Sequence, residues 1–283
     1  EIHVLLTREA DGYYAAFTPA VEALARCLRQ GWTYTGQPYA PWDGRPRGRP
    51  VAPLRPEQLV AYVQNHDQIG NRALGTRLEH EVGVERACMA TVLLLFLPWT
   101  PILFMGQEWA ASSPFLFFSD HDGEVGANVA RGRREEFHRF AAFADPAAAA
   151  RIPDPQAAET FERSRLRWEE RTAAPHAAAL ALHRAMLALR RDDPVLSAPC
   201  ALADLEVTTH EAVLSVERAN EHGARRLLVN FGDGPAPAAL REGERVLFLS
   251  GRLEGDRIGP FAAAILTSDR RPSRGGVRAS GDR

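Results

Sequence analysis

The 283-residue sequence predicts an α/β fold, namely part of a (β/α)8 TIM barrel followed by a small antiparallel β-sandwich domain. Near-continuous apolar strands over 59–64 and 102–105 flank a helical pattern over 84–96, which is typical of parallel strands covered on both faces. After Pro194 the apolar period changes from about 3.6 residues to about 2, which indicates antiparallel strands. Because a complete barrel needs about 250 residues and only about 195 precede this change, we expect the barrel to be incomplete.

The same patterns predict the domain boundaries. Residues 1–196 are assigned to the C-terminal part of the barrel and residues 197–270 to the β-sandwich domain. Residues 271–283, which are rich in Arg, Ser and Gly, are assigned to a disordered tail. Amphipathic helices are predicted over 18–30 and 177–191, with an irregular surface loop over 35–53. The apolar run 2–7 fits either a helix or a strand, and the sequence starts within it without Met, so we expect a piece of a longer protein.

The composition argues against several classes of protein. Hydrophobic residues make up 45% and charged residues 25% of the chain, as in an average globular protein. The 34 basic and 36 acidic side chains nearly cancel, which argues against a general nucleic-acid binder. The best apolar run, Ala90 to Leu97, is too short to cross a membrane. Three scattered cysteines, Cys27, Cys88 and Cys200, favour reduced thiols in a cytoplasmic protein.

Polar residues follow each of the two apolar strands. The first strand runs into Asn65-His66-Asp67-Gln68, and the second runs into Glu108 and Trp109. Barrel enzymes carry their chemistry at this end of the strands, and sugars are bound by carboxylates together with aromatic rings. Two structural alternatives stay open, because the first cluster also fits a turn with an Asn cap and Trp109 also fits core packing.

These motifs resemble the α-amylase superfamily. The strand before Asn65-His66-Asp67 resembles the fourth signature region, and the segment from Pro101 to Glu108 resembles the last barrel strand. The longer wording, from Asn65 to Arg72 and from Leu103 to Phe115, is similar to that of the malto-oligosyltrehalose trehalohydrolase family. Shorter stretches that share this similarity lie at 11–14, 118–121 and 160–164. Gln107 departs from the family, where a Glu is expected, and the missing charge could alter sugar contacts near the leaving group.

The resemblance implies a retaining glycosidase that hydrolyses the α-1,4 bond next to the terminal trehalose of maltooligosyl trehalose. This substrate would be made by a partner synthase in the cytoplasm, and no metal or organic cofactor is implied. Asp67 matches the carboxylate that stabilises the transition state. The residues expected to contact sugar are His66, Asn65, Gln68, Glu108 and Trp109. The nucleophile and the general acid should lie on upstream strands, in the missing N-terminal half of the barrel, so this chain alone is expected to be inactive.

Two other functions stay open. A 1,4-α-glucan branching enzyme shares the barrel and the Asn-His-Asp signature, but it transfers the glucan to another chain and not to water. The wording from Gly106 to Phe115 and at Ser119-Asp120-His121 favours the hydrolase. A non-catalytic glucan-binding remnant is the alternative from a different class, and an upstream reading frame with a nucleophile Asp and an acid Glu would exclude it.

Overall fold

The computed structural model describes residues 1–51, 54–137, 143 and 145–269. The helices in this part of the chain are α1 (Ile2–Thr7), α2 (Val21–Gln30), α3 (His66–Gly70), α4 (Leu78–Val82), α5 (Val84–Phe96), α6 (Gly123–Phe137), α7 (Pro146–Ala149), α8 (Ala158–Ser164) and α9 (His176–Asp192). The strands are β1 (Thr35–Pro38), β2 (Pro46–Gly48), β3 (Val60–Tyr62), β4 (Thr100–Ile102), β5 (Glu206–His210), β6 (Val213–Asn220), β7 (Gly223–Asn230), β8 (Ala236–Pro237), β9 (Arg245–Ser250), β10 (Leu253–Glu254), β11 (Arg257–Ile258) and β12 (Ala263–Ser268). The predicted tail over 271–283 lies outside the described residues.

Strands β3 and β4 pair in parallel, with Val60 opposite Thr100 and Tyr62 opposite Ile102. Parallel neighbours need a long crossover, and helix α5 lies within it. The pair confirms the predicted strand–helix–strand unit, although β4 begins two residues earlier than predicted. Because the strands are parallel, the residues that follow Tyr62 and Ile102 leave the same edge of the sheet.

Helix α5 is the centre of the fold. Its residues from Cys88 to Phe96 are all buried, and it is apolar on every side, as expected for a helix covered all round. The positive φ of Gly83 precedes its first turn, and Pro98 follows its end. These two breakers explain why the sequence predicts its bounds correctly.

The C-terminal part contains two antiparallel sheets. Five strands pair in the order β5-β6-β7-β12-β9, and three short strands pair in the order β10-β11-β8. One face of the larger sheet packs on α5 and its neighbours through Leu214, Leu227 and Ile265. The other face meets the smaller sheet around Leu228 and Ile258. Both faces of the larger sheet are therefore covered. Its antiparallel pairing agrees with the predicted change of strand type after Pro194.

Arginines tie this sheet region to α5. Arg218 of β6 donates from Nη1 to the Phe96 carbonyl at 2.9 Å and from Nη2 to the Ala198 carbonyl at 2.9 Å. Arg190 of α9 donates to the Leu95 carbonyl at 2.8 Å. The last carbonyls of a helix have no backbone donors, and these two guanidinium groups donate hydrogen bonds to them at the end of α5.

The segment over 35–53 differs in part from the predicted irregular loop. Strands β1 and β2 form a short antiparallel hairpin within it, with a register irregularity between Thr35 and Gln37. Arg47 lies over the Tyr39 ring, 4.2 Å from its centroid, and stabilises the hairpin through a cation–π contact. The density of Pro and Gly hides the strand pattern in the sequence, because both residue types are depleted in strands.

Candidate functional site at the strand ends

The first site loop is built by an Asn cap. Strand β3 ends at Tyr62, and α3 begins at His66 with Asn65 as its N-cap. The Asn65 Oδ1 accepts a hydrogen bond from the Gln68 backbone N–H at 2.8 Å, which satisfies one donor that a helix start leaves free. The cap that the sequence left open as an alternative is therefore present, and it sets the direction of the next two side chains.

His66 and Asp67 stand in the first turn of α3 and project into solvent. Their side chains are 68% and 70% exposed, and His66 Nε2 lies 3.2 Å from Asp67 Oδ1. Both predicted residues are therefore together and open to a ligand. An imidazole donor beside a carboxylate acceptor suits the hydroxyls of a sugar, which both donate and accept hydrogen bonds.

The two glutamines of this loop, Gln64 and Gln68, differ in burial and in hydrogen bonding. Gln64 is buried, donates from Nε2 to Glu79 Oε2 at 2.9 Å and accepts at Oε1 from the Leu78 backbone N–H at 2.9 Å. Gln68 is half-buried, and its Oε1 is a buried oxygen with no hydrogen-bond partner among the described residues. Burial raises the pKa of Glu79, against the opposing effects of hydrogen bonding and of the Arg77 charge. Gln64 thus anchors the end of the strand to α4, and the Asn65-His66-Asp67-Gln68 motif starts at the next residue.

The second site loop turns sharply after β4. Gly106 has a φ of +83°, and a Cβ there would lie 2.6 Å from a Leu166 side-chain carbon. Only glycine fits this turn without strain. The turn directs Gln107 inward and leaves Glu108 half-buried.

Gln107 is buried beneath the loop at 5% exposure. Its Oε1 accepts from the Phe104 backbone N–H at 3.3 Å, and its Nε2 donates to Thr91 Oγ1 at 3.4 Å. The hypothesis that Gln107 alters sugar contacts directly is not favoured by this geometry, because its amide is used within the core.

Trp109 is also in the core, at 1% exposure. Its ring packs against Trp168 with centroids 5.1 Å apart, and its carbonyl lies 3.0 Å from His176 Nδ1. The structure places this ring away from solvent, as the core-packing alternative has it. The sequence alone could not separate the two, because Trp168 and His176, which contact Trp109, are distant from it in sequence.

Glu108 is half-buried and lies near Arg77 and His183. Burial lowers the pKa of Arg77 and of His183, and the Glu108 carboxylate acts in the opposite direction on both. The structure therefore brings His66 and Asp67 together at the surface and leaves Glu108 half-buried.

Arg77 was missed by sequence reasoning, and it connects the segments around the site. It is fully buried, donates from Nε to the Ser113 carbonyl at 2.7 Å and from Nη1 to the Met105 carbonyl at 2.9 Å. The guanidinium carbon of Arg77 also lies over the Phe104 ring, 5.4 Å from the ring centroid. No local pattern marks it, since its partners lie about thirty residues further along the chain.

Among the described residues, no helix has the length and apolarity needed to cross a membrane. No protein-family model matches the chain. One solved structure, a putative α-amylase from Salmonella typhimurium, is 34% identical to the chain with a TM-score of 0.82, covering 94% of this chain and 45% of that one. The fold, the strand-end site and this similarity define a protein of the α-amylase superfamily.

The curated relatives narrow this class. The chain is 46% identical over 234 residues to the malto-oligosyltrehalose trehalohydrolase of Deinococcus radiodurans, covering 82% of the chain and 38% of that protein. It is 38% identical over 273 residues to the enzyme of the same name from Rhizobium sp., covering 94% of the chain and 44% of that protein. Over most of its length the chain is therefore similar to the malto-oligosyltrehalose trehalohydrolases, and it spans about two fifths of the length of these relatives.

Proposed function

We propose that the chain forms part of a glycoside hydrolase that releases trehalose from maltooligosyl trehalose. The observation that carries the proposal is the exposed His66–Asp67 pair at the carboxyl end of a parallel strand. Barrel enzymes place their reacting groups at this end of the strands. The name shared by the relatives supplies the substrate class.

Residues 1–196 are proposed to contribute strands and helices to a (β/α)8 barrel, and residues 197–270 to form a β-sandwich domain. The exposed face of the β3–β4 pair supports the first part. Val60 is 56%, Tyr62 39% and Ile102 41% exposed. Apolar side chains on a two-stranded parallel sheet are normally covered on both faces, and further parallel strands of a barrel would cover these.

The reaction follows the retaining scheme. A carboxylate nucleophile attacks the anomeric carbon while a carboxylic acid protonates the glycosidic oxygen, so trehalose leaves and a glycosyl–enzyme ester forms. Water then attacks the ester, and the same acid residue, now a base, takes the proton. We propose that both of these residues come from other segments of the whole enzyme.

Asp67 and His66 are proposed to act on the sugar at the cleaved bond. The Asp67 carboxylate accepts hydrogen bonds from ring hydroxyls, and these bonds strengthen as positive charge develops at the anomeric carbon. His66 donates to a hydroxyl of the same sugar. Asn65 contributes by holding the turn through its cap, and Gln68 and Glu108 are proposed as weaker sugar contacts.

The substrate would be supplied by a synthase that builds the trehalose end of a maltooligosaccharide, and the chemistry would take place in the cytoplasm. Product analysis tests the function. The whole enzyme that contains this chain should release free trehalose from maltotriosyl trehalose. New α-1,6 branches on a linear glucan, without trehalose, would instead identify a branching enzyme. If the folded whole enzyme forms neither product, a glucan-binding remnant is favoured.

A further inference from the structure

An aromatic groove lies beside the second site loop. It has a volume of about 330 Å³, and its lining includes Met105, Phe115, Phe118, Phe161, Leu166 and Trp168. The volume is at the lower end of the range for small-molecule sites, and apolar lining with few polar groups is typical of them. The sequence assigns no role to this surface, although stretches at 103–115, 118–121 and 160–164 that carry the family resemblance contribute residues to it.

The groove leaves aromatic rings in water. Phe118 is 38%, Phe161 47% and Trp168 56% exposed. Burying such rings would be favourable by about 25 cal/mol for each Å² of apolar area, so an exposed cluster of them indicates a binding surface.

The phenylalanines hold one another in place. Edge-to-face contacts join Phe104 to Phe115, Phe115 to Phe118 and Phe118 to Phe161, with centroid distances of 5.1, 5.9 and 5.3 Å. Trp168 is held from behind by the buried Trp109 ring. The rings are therefore positioned before any ligand arrives, which lowers the entropy cost of binding.

One end of the groove meets the helix that carries Asp67. A Cβ at Gly70, the last residue of α3, would lie 3.5 Å from the Phe115 ring. Phe115 is further fixed by a hydrogen bond from its backbone N–H to the Gly75 carbonyl at 2.8 Å. The groove thus starts about one helical turn from Asp67 and extends towards Trp168.

Charged groups stand at the rim of the groove. Arg165 donates to Glu162 at 2.8 Å, and both side chains are more than half exposed. Arg171 lies over the Trp168 ring, 4.9 Å from its centroid. Flat rings with donors and acceptors around them match a pyranose, which has an apolar C–H face and hydroxyls at its edge.

We propose that this groove is a sugar subsite that binds a glucosyl unit of the oligosaccharide away from the bond that is cut. The inference rests on the proposed function and adds the place where the rest of the substrate is held. The exposed parts of Trp168, Phe118 and Phe161 form the apolar wall on which the pyranose packs. Arg165 and Glu162 bind hydroxyls at the rim.

The test uses the whole enzyme with Trp168→Ala and Phe161→Ala, assayed on maltotriosyl trehalose. We expect KM to rise about fivefold to tenfold in each variant with kcat within about twofold of the parent, because the groove lies away from the reacting atoms. Trp168→Phe should restore most of the affinity. Phe117→Ala is the matched control, since Phe117 is 38% exposed but its ring contacts Arg133 at 4.9 Å.

The outcomes separate the two proposals. An active parent with unchanged KM in both variants would overturn the subsite and leave the hydrolase function intact. The same holds if the variants lose thermal stability without a change in KM, because the groove would then be a packing surface. If the folded parent releases no trehalose, the function fails. Titration with maltotriose then still tests the subsite. A saturable change in tryptophan fluorescence that Trp168→Phe abolishes supports the subsite, and the absence of such a change overturns it.

Discussion

Replacing Glu9 by Gln should destabilise the fold in a pH-dependent way. The Glu9 carboxylate accepts from His3 Nε2 at 2.7 Å and from the two Nη groups of Arg72 at 2.9 and 2.6 Å. Arg72 lies two residues after α3, so this pair joins the N-terminal helix to the segment that carries Asp67. Burial raises the pKa of Glu9, but the hydrogen bonds from His3 and Arg72 and the charge of Arg72 outweigh it and lower the pKa to about 2.

The magnitude follows from the difference between an ordinary pKa of 4.5 and about 2. This difference corresponds to about 3 kcal/mol, and because the side chain is partly exposed we expect about 2 to 3 kcal/mol. A pKa lowered by folding adds stability above the unfolded-state pKa, and this stability is lost as the pH falls through the folded-state pKa. The parent should therefore exceed Glu9→Gln in stability by that amount at pH 7, with the difference falling to about half near pH 3.

Urea unfolding of both proteins at several pH values between 7 and 3 measures this difference. Glu162→Gln is the control, because the Arg165–Glu162 pair is exposed and its removal should change nothing measurable. A Glu9→Gln deficit that is absent at pH 7, or that stays constant down to pH 3, would refute the reasoning.

Three further substitutions and one thiol-labelling experiment test the packing. Gly75→Ala should cost more than about 1 kcal/mol of unfolding free energy, because Gly75 has a φ of +59° and its Cβ would lie 2.4 Å from the Phe115 carbonyl oxygen. Gly44→Ala, with a positive φ but open space, should cost about 1 kcal/mol in the same denaturation assay. Leu214→Ala should cost about 2 to 5 kcal/mol, since Leu214 is fully buried. The Cys88 thiol, whose pKa burial raises to about 11, should react with a thiol reagent at pH 8 only after unfolding.

Each of these has an outcome that contradicts it. Equal losses for the two glycine variants would mean that the Phe115 carbonyl does not restrict Gly75. A Leu214→Ala loss below about 1 kcal/mol would be inconsistent with a tightly packed sheet face. Rapid labelling of Cys88 in the native protein would show that the thiol is accessible.

Much of the fold could be predicted from the sequence where breakers and period agree. Helix α5 has Gly83 before it and Pro98 after it, and its bounds are as predicted. The antiparallel strands after Pro194 follow from their two-residue period. Strand β4 was placed two residues late, because an apolar run does not reveal which of its residues pair with β3.

The candidate site was predictable only in part. His66 and Asp67 are exposed as a surface site requires, but Gln107 and Trp109 turned out to be buried. Their burial depends on contacts with residues distant in sequence, which the local motif does not contain. For the same reason Arg77 could not be found before the structure.

The domain boundaries after residues 196 and 270 stay predictions. The main hydrophobic core runs without interruption from Leu24 and Leu95 to Leu227 and Ile265, on both sides of the first boundary. The two regions therefore support each other in this fold, and Arg218 adds hydrogen bonds between them.

The most direct test of the central claim is trehalose release by the whole enzyme and its Asp67→Asn variant, with maltotriosyl trehalose as substrate. We expect release by the parent and a loss of about a hundredfold or more in kcat for Asp67→Asn. Asp233→Asn, whose side chain is 92% exposed in the native fold, should retain full activity. Release by Asp67→Asn at nearly the parent's rate, from a protein that is equally folded, would contradict the assigned role of Asp67.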